Sequence, residues 1–175
     1  MSFLRRLDEA LSQYPLVDFR TVQQQYVDQE LPEYAGLPRP LAFPFPVGTI
    51  FRGKKDWAKS PMGILFFALD PFAASEYGPA TAFSTDISRT ADFRDMSLIP
   101  VARESGSLDA FITGVEKFLI GLSKRGEYDS ALLDMRNLEM GALELVVFSP
   151  SMVRPLGRLQ EHTDPTSGNE YYTLH

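Results

Sequence analysis

The chain has 175 residues, of which 44% are hydrophobic, so it can bury one substantial core but is too short for two ordinary domains. Its 23 acidic and 17 basic residues give a net charge of −6, which disfavours non-specific attraction to nucleic acid or to an anionic membrane. The sequence contains no cysteine, which excludes disulfides, thiolate nucleophiles and zinc sites built on sulfur.

The N-terminal region is predicted to begin with two amphipathic helices. In the first, apolar residues recur at helical spacing after the cap residue Ser2, up to Pro15. The second is predicted over residues 21–31, with Thr21 as its cap. The charged residues of the first helix are not those of a signal peptide, and no run approaches the roughly 20 apolar residues that cross a bilayer. We therefore expect a soluble cytoplasmic protein, or one delivered by a signal-independent route, with no membrane partner.

The next segment, residues 32–46, is rich in proline. Because proline lacks an amide hydrogen and fixes φ, this segment is predicted to be an extended connector. It is expected to pack on the core through three apolar side chains, Leu41, Phe43 and Phe45. Residues 1–46 are thus interpreted as a helical and proline-rich extension ahead of an α+β domain at residues 47–175, within a single folding unit.

Short β-strands are predicted from position 47 onward, where apolar runs of four to seven residues alternate with turn residues. These strands are predicted at 47–53, 63–69 and 81–87. Between the last two, Asp70 is placed as the cap of a short helix that ends at Gly78.

The best-formed helix is predicted after Ser107, which is placed as its cap. Asp109 falls in its first turn, and Gly126 follows its end, as a C-terminal glycine commonly does. The apolar residues of this helix share one face: Leu108, Phe111, Ile112, Val115, Phe118, Leu119 and Leu122.

Two further strands are predicted at 128–135 and 142–148, followed by an edge segment at 149–159 and a tail that forms a loop or a short strand. The connections between the early strands are too short for repeated parallel crossovers. The predicted fold class is therefore α+β: a mixed, mainly antiparallel split sheet of short strands, with an N-terminal helical extension and one long amphipathic helix.

Several kinds of catalytic site are disfavoured by the residues present. Only His162 and His175 supply imidazoles, and both lie in the tail, so a Ser-His-Asp triad or a multi-histidine metal site is not expected. Neither GxxxxGK[ST] nor GxGxxG occurs, which removes kinase and Rossmann-type readings. No metal site is predicted.

A set of separated segments instead carries a resemblance to a known superfamily. The segments are "FRG" ending at Gly53, "GILFFALDPFAASEYG", "FST" at 83–85, and "YDSALLDMRNLEMGALELVVFSPSMV". Their order resembles the ADP-ribosyltransferase superfamily, in which a strand carrying "yRG" is followed by "G-(I/L)-y-F" and a short helix ending in "YG". The resemblance spans roughly residues 47–155, about the size of a minimal domain. It extends more loosely to the RES-type toxins that destroy NAD.

The resemblance implies a role for each matching residue, with NAD as the substrate. Arg52 corresponds to the arginine that binds the NAD phosphates, because a guanidinium fork suits paired phosphate oxygens. Ser84 and Thr85 lie where relatives order the site and touch the ribose. Glu144 corresponds to the acid that hydrogen-bonds the nicotinamide ribose and stabilises the positive charge formed as the glycosidic bond breaks. The remaining cofactor-binding positions are Gly53, which follows the arginine, and Phe67 or Tyr77, which could stack on the nicotinamide ring.

The chain departs from the superfamily pattern at three places. Asp86 stands where the third residue of Ser-Thr-Ser would be, Ala142 replaces the first acid of the Glu-x-Glu pair, and Arg52 stands where the other subclass has a histidine. Modification of an arginine side chain is therefore not expected, which leaves NAD hydrolysis or transfer to another acceptor. The RES-type pattern gives a second assignment: Arg52, Phe67 in place of a tyrosine, and Glu76.

Each of these residues also has a purely structural interpretation. Arg52 and Glu76 fit solvated surface charges. Glu144 alternates with leucines and fits an outward-facing strand residue. Ser84 and Thr85 are ordinary strand formers, and Phe67 fits the core.

Three functions follow from these interpretations. The first is an NAD-consuming enzyme of ADP-ribosyltransferase type, a toxin or effector whose partners are NAD and a protein acceptor or cognate partner protein. The second is a non-enzymatic acidic binding protein, such as an immunity or adaptor protein, that grips a partner through residues 37–46. The third is a catalytically inactive relative that still binds the nucleotide.

Overall fold

The computed structural model describes residues 14–53, 63–100, 107–138 and 141–175. Its β-strands are β1 (Leu16–Val17), β2 (Ile50–Gly53), β3 (Leu65–Ala68), β4 (Ala80–Thr85), β5 (Thr90–Phe93), β6 (Ser130–Asp134), β7 (Leu143–Val147), β8 (Val153–Thr163) and β9 (Glu170–Leu174). Its α-helices are α1 (Phe19–Gln29), α2 (Leu31–Ala35), α3 (Arg39–Ala42), α4 (Pro71–Ser75) and α5 (Leu108–Lys124).

The strands form one open sheet in the order β1-β5-β6-β7-β3-β2-β4-β8-β9. Among the described strands, β5 and β6 pair in parallel and the other neighbours pair antiparallel. The parallel pair is possible because the connection that contains α5 is long enough for a crossover, whereas the other connections are short. The predicted α+β class with a mixed, mainly antiparallel sheet is confirmed.

Helix α5 follows its prediction closely. The Ser107 hydroxyl accepts a hydrogen bond from the Ala110 amide, and Asp109 lies in the first turn. Gly126 adopts φ +74° just after the helix, a conformation that glycine reaches without strain. The buried face of α5 contributes Val115 and other apolar residues to a core beneath it, shared with β5 and β6.

Helix α1 begins two residues before the predicted cap. Asp18 is the cap: its carboxylate accepts hydrogen bonds from the Arg20 amide and from the Thr21 hydroxyl. The prediction of Thr21 as the cap is therefore wrong, because the Asp18 carboxylate already accepts a hydrogen bond from an amide in the first turn of the helix. The helix predicted after Ser2 lies outside the described residues.

The proline-rich segment is not an extended connector. It forms α2 and α3, with Pro32 and Pro40 in their first turns, where a missing amide hydrogen breaks no helical hydrogen bond. The packing prediction is correct, since Phe43 and Phe45 are buried and meet Phe51 edge-on. With those rings in the core, Phe43 and Phe45 are not exposed for contact with a partner, and the binding-protein hypothesis, which also involves the acidic surface, stays a prediction.

Four strands were not fully anticipated from the sequence. β1 has two residues and β5 four, both too short to show a periodic pattern. β8 extends the predicted edge segment to Thr163, and β9 is the strand form of the tail, paired with it. None of the described helices is long and apolar enough to cross a membrane.

The two faces of the central strands are covered differently. Helix α1 packs on one face, where Phe19 and Val22 join Ile50, Phe67 and other apolar residues. The other face is covered by α5 over β5 and β6, and by α4 with Phe43 and Phe45 over β2 and β4. A gap between these two coverings exposes part of β3 and β7, and it is there that a pocket forms.

Candidate functional site

The pocket lies between α4 and α5, above β2, β3 and β7. Its volume is about 130 Å³. Phe51, Phe66 and Ala68 form an apolar floor, and Ile112 and Val115 of α5 form one wall. A volume of this order admits one ring-sized group, since a cavity of about 150 Å³ accepts benzene.

Most of the residues predicted for the site meet at this pocket. Arg52, Gly53, Phe67, Tyr77 and Glu144 all contribute to its lining. The acid of the second assignment, Glu76, lines it as well. These residues come from β2, β3, β7 and the turn after α4, so folding brings together segments that are far apart in sequence.

Ser84 and Thr85 do not line this pocket. The register of β2 with β4 pairs Arg52 with Thr81, which leaves Ser84 and Thr85 at the opposite end of β4, beside β8. The Thr85 hydroxyl donates to the Met152 carbonyl at 3.2 Å. The expectation that they touch the ribose is therefore corrected, because a residue three positions along a strand is about 10 Å away.

Glu144 stands on the pocket floor among apolar neighbours. It lies opposite Ala68 of β3 and Leu133 of β6, both of which are buried. Within the described parts of the chain, no hydrogen-bond donor or cation contacts its carboxylate. Burial raises the pKa of Glu144 to about 7, because no contact among the described residues offsets the cost of desolvating the charge.

Arg52 lies at the edge of the pocket without pairing to Glu144. Phe51, Ala68 and Glu144 stand in one row of the sheet and share a face, and Arg52 is one residue further along β2. Because side chains alternate, the Cβ of Arg52 leaves the sheet on the other face. The cause of the raised Glu144 pKa agrees, since it is burial with no opposing positive charge. Burial lowers the pKa of the Arg52 guanidinium, which stays charged at neutral pH.

Gly53 has a packing role that explains its place after Arg52. A Cβ at this position would meet the Ala74 carbonyl oxygen and would lie 2.7 Å from the Cβ of Tyr77. The missing side chain lets the end of α4 approach β2, which closes one side of the pocket. This packing accounts for the glycine without a ligand, and the assignment of Gly53 as a cofactor-binding residue stays a prediction.

The two aromatic residues predicted to stack on a ring differ in placement. Phe67 is 2% exposed and packs edge-on against Phe83 in the core under α1, so the stacking role assigned to it is corrected. Phe66, its neighbour, is partly buried on the pocket side. Tyr77 is also partly buried, and burial raises its pKa, with further contributions from the charges of Glu144 and Glu76. Its hydroxyl therefore lies near both carboxylates.

Sequence reasoning missed one acid of the pocket, Glu116 on α5. It lines the same wall as Ile112 and Val115, and burial raises its pKa. A signal was present, because Glu116 stands inside the apolar stripe of the helix, between Ile112 and Leu119.

The pocket is apolar and acidic in character. Its lining includes three carboxylates, those of Glu76, Glu116 and Glu144. Arg52 also contributes to the lining, although its Cβ leaves β2 on the opposite face of the sheet. Such an arrangement can stabilise positive charge that develops on a bound group and can accept a proton from it. No group of three or more potential metal ligands occurs in the parts of the chain that the structure describes.

The histidines take no part in this arrangement. The Nε2 atom of His162 lies 2.7 Å from the Thr173 hydroxyl, and its ring stacks on Tyr171 in the β8–β9 hairpin.

Comparison with protein-family models found no match, and searches of curated proteins and of solved structures found none either.

Proposed function

We propose that this protein is an NAD-consuming enzyme of ADP-ribosyltransferase type, with its site in the pocket between α4 and α5. The observation that carries the proposal is that Tyr77 and Glu144 line one cavity and that Arg52, on the adjoining end of β2, contributes to the same lining. The resemblance assigns these residues to one site, and they come from three separate segments of the sequence. Chance placement of three such residues around one small pocket is not expected.

Glu144 would stabilise the charge that forms during the reaction. The bond between the nicotinamide nitrogen and the ribose C1′ breaks, nicotinamide leaves as a neutral molecule, and positive charge develops on the ribose. A carboxylate in an apolar, solvent-poor pocket interacts with this charge more strongly than it would in water. Binding of the cationic pyridinium also favours the ionised form of Glu144, whose pKa is about 7 in the free protein.

The size of the pocket fits only one end of the substrate. A volume of about 130 Å³ holds a ring-sized group, whereas sites for whole drug-sized ligands are several times larger. The nicotinamide would enter between Phe66 and the α5 wall, and the diphosphate would stay outside the cavity. Arg52, at the edge, would then meet the phosphates rather than Glu144.

The reaction most consistent with the residues present is hydrolysis or transfer to an acceptor other than arginine. Ala142 lines the pocket where the acid needed for arginine modification would stand. The pocket thus lacks that side chain at the matching position. A toxin or effector acting on NAD in the cytoplasm is the biological role that we propose for this chemistry.

The proposal is tested by following nicotinamide release from NAD by the wild-type protein and three variants. Glu144→Gln keeps the shape of the side chain and removes its charge, and we expect it to lower the release rate by about 100-fold to 1,000-fold. Glu33→Gln, at an exposed carboxylate outside the pocket lining, serves as the matched control and is expected to behave as the wild type. A thermal melt of each variant establishes that it is folded.

The third variant, Glu76→Gln, distinguishes the two assignments. Loss of release in Glu76→Gln, with full activity in Glu144→Gln, would replace the first assignment with the RES-type one. Wild-type protein that binds NAD but releases no nicotinamide would instead indicate the inactive nucleotide-binding relative. Neither binding nor release would contradict the proposal altogether.

A further inference from the structure

Glu116 occupies a position on α5 that packing alone does not explain. The buried side of α5 carries Val115, Leu119 and Leu122, and Glu116 falls beside them, one turn after Ile112. It therefore points a carboxylate into the wall of the pocket that has Glu144 on its floor. A leucine would suit the apolar stripe better, so the acid has a cost in stability that the fold does not require.

Among the described residues, the carboxylate of Glu116 has no partner that would offset that cost. In the described ranges of the chain, no hydrogen-bond donor or cation contacts it, and burial is the cause of its raised pKa. Other partly buried acids are paired: the Asp129 carboxylate accepts from the Ser88 amide at 2.8 Å and from the Arg89 amide at 3.1 Å. Glu116 and Glu144 thus line the same pocket, and neither carboxylate has a partner in the part of the chain that the structure describes.

We propose that Glu116 is the general base that activates a water molecule for attack on the ribose C1′, so that hydrolysis of NAD is the reaction of this site. This inference rests on the proposed function. Glu116 would accept a proton from the water, the water oxygen would form a bond to C1′, and the bond from C1′ to the nicotinamide nitrogen would break. The electron pair of that bond leaves with nicotinamide, and the product is ADP-ribose.

The placement of the two acids suits a division of roles. One carboxylate on the floor and one on a wall can lie on different sides of a bound sugar, as in hydrolases that place a base and a charge-stabilising or acidic group around one sugar carbon. Glu144 would stabilise the charge on the ribose, and Glu116 would serve the incoming nucleophile. A raised pKa also makes Glu116 a better proton acceptor near neutral pH than an exposed glutamate.

The test compares Glu116→Gln with the wild type and with Lys117→Gln, a control at an exposed position of the same helix. Nicotinamide release is measured without and with sodium azide, an anionic nucleophile that needs no base. We expect Glu116→Gln to lose about 100-fold to 10,000-fold in release rate without azide. Azide should restore much of the lost release rate in Glu116→Gln and yield an azido sugar product. It should not restore the release rate of Glu144→Gln.

The outcomes separate this inference from the proposed function. Active wild type with an equally active Glu116→Gln would overturn the role of Glu116 and leave the NAD-consuming site intact. Loss of activity in Glu116→Gln that azide does not restore, in a variant that melts like the wild type, would assign Glu116 to packing or substrate positioning and would also overturn the inference. A wild type that releases no nicotinamide would overturn both.

Discussion

Two regions of this molecule bury polar side chains, and they treat them in opposite ways. The first is the polar core between α1 and the ends of β2 and β3, formed by Gln23, Tyr26 and Asp70. The Gln23 amide nitrogen donates to the Thr49 carbonyl at 2.7 Å and to the Leu69 carbonyl at 2.9 Å. Its amide oxygen accepts from the Gly48 amide at 2.7 Å. Here every bond ties one segment of chain to another.

Asp70 completes the polar core, and its carboxylate also has hydrogen-bond partners inside the protein. Its carboxylate accepts from the Tyr26 hydroxyl at 2.7 Å and from the Ala73 amide at 2.9 Å. Burial raises the pKa of Asp70, and these two hydrogen bonds oppose the rise. In the pocket, by contrast, burial raises the pKa of Glu144 with no opposing contact among the described residues. The partnered groups of the polar core hold segments of the fold together, whereas the burial cost of the pocket acids is not offset by any described contact, as the ligand site that we propose would require.

The largest effect is expected from breaking the polar core at Gln23. In Gln23→Leu, the carbonyls of Thr49 and Leu69 and the amide of Gly48 lose their partner inside the protein. Buried groups left without a partner cost about 1–3 kcal/mol each before relaxation, so the free energy of unfolding should fall by about 3 kcal/mol or more. Urea denaturation measures it, and a loss below about 1 kcal/mol would show that this region is not the structural one.

A second variant leaves a buried carboxylate of the polar core with fewer hydrogen-bond donors, as in the pocket. Tyr26→Phe removes one donor from Asp70 and raises the pKa of that carboxyl further, so more of its burial cost remains unopposed. We expect a loss of about 2 kcal/mol near pH 7. Because burial raises the pKa of Asp70, the folded protein takes up this proton more readily, and the loss should become smaller as pH falls and Asp70 is protonated. A loss that stays the same across a series of urea denaturations from acidic to alkaline pH would contradict this account of Asp70.

Removing the charge of the pocket acid Glu144 should stabilise the protein, whereas the polar-core variants should destabilise it. Glu144 has a pKa of about 7 in the folded state, above the usual unfolded value of about 4.3, so the folded protein binds more protons between these values. Wild-type stability should therefore fall as pH rises from about 4.3 through 7. Glu144→Gln avoids this loss and should be more stable than the wild type by about 1–3 kcal/mol at pH 8, with no advantage below about pH 4. A variant less stable than the wild type at pH 8 would indicate a hidden partner for Glu144.

The smallest effect is expected where a charge is partnered but exposed. Arg136 donates to Asp134 at 2.8 Å and to Glu30 at 2.7 Å, and all three side chains are solvent-accessible. Because solvent screens such pairs, Arg136→Gln should lower the free energy of unfolding by no more than about 1 kcal/mol. If Arg136→Gln lowered the free energy of unfolding as much as Gln23→Leu, the loss of partners, and not the burial of the group, would determine the size of the effect.

The sequence predicted well wherever the signal was local. The limits of α5 could be read from the hydroxyl of Ser107 and the glycine at 126, because caps act on neighbouring backbone groups. The cap of α1 was misplaced because Asp18 and Thr21 are both capable of the role and only the geometry selects between them. The proline-rich segment was misread because a proline in the first turn of a helix carries no penalty.

The sequence predicts part of the site, and the residues that it places wrongly have a common cause. The order of segments indicated Arg52, Tyr77 and Glu144, which do meet at the pocket. Which of Phe66 and Phe67 faces the pocket could not be read, since every residue from 64 to 69 is apolar and shows no alternation. Ser84 and Thr85 failed for the same reason, because strand register is a tertiary property. Glu116 needed the structure to show that the apolar stripe of α5 borders a cavity.

The most direct test of the central claim is the pH dependence of nicotinamide release from NAD by the wild type and by Glu144→Gln. If ionised Glu144 stabilises the charge on the ribose, kcat/KM of the wild type should rise with pH through a midpoint near 7. Glu144→Gln should be slow at every pH and lack that midpoint. A wild-type profile that is flat between about pH 5 and pH 9, or an equal rate in Glu144→Gln, would contradict the account.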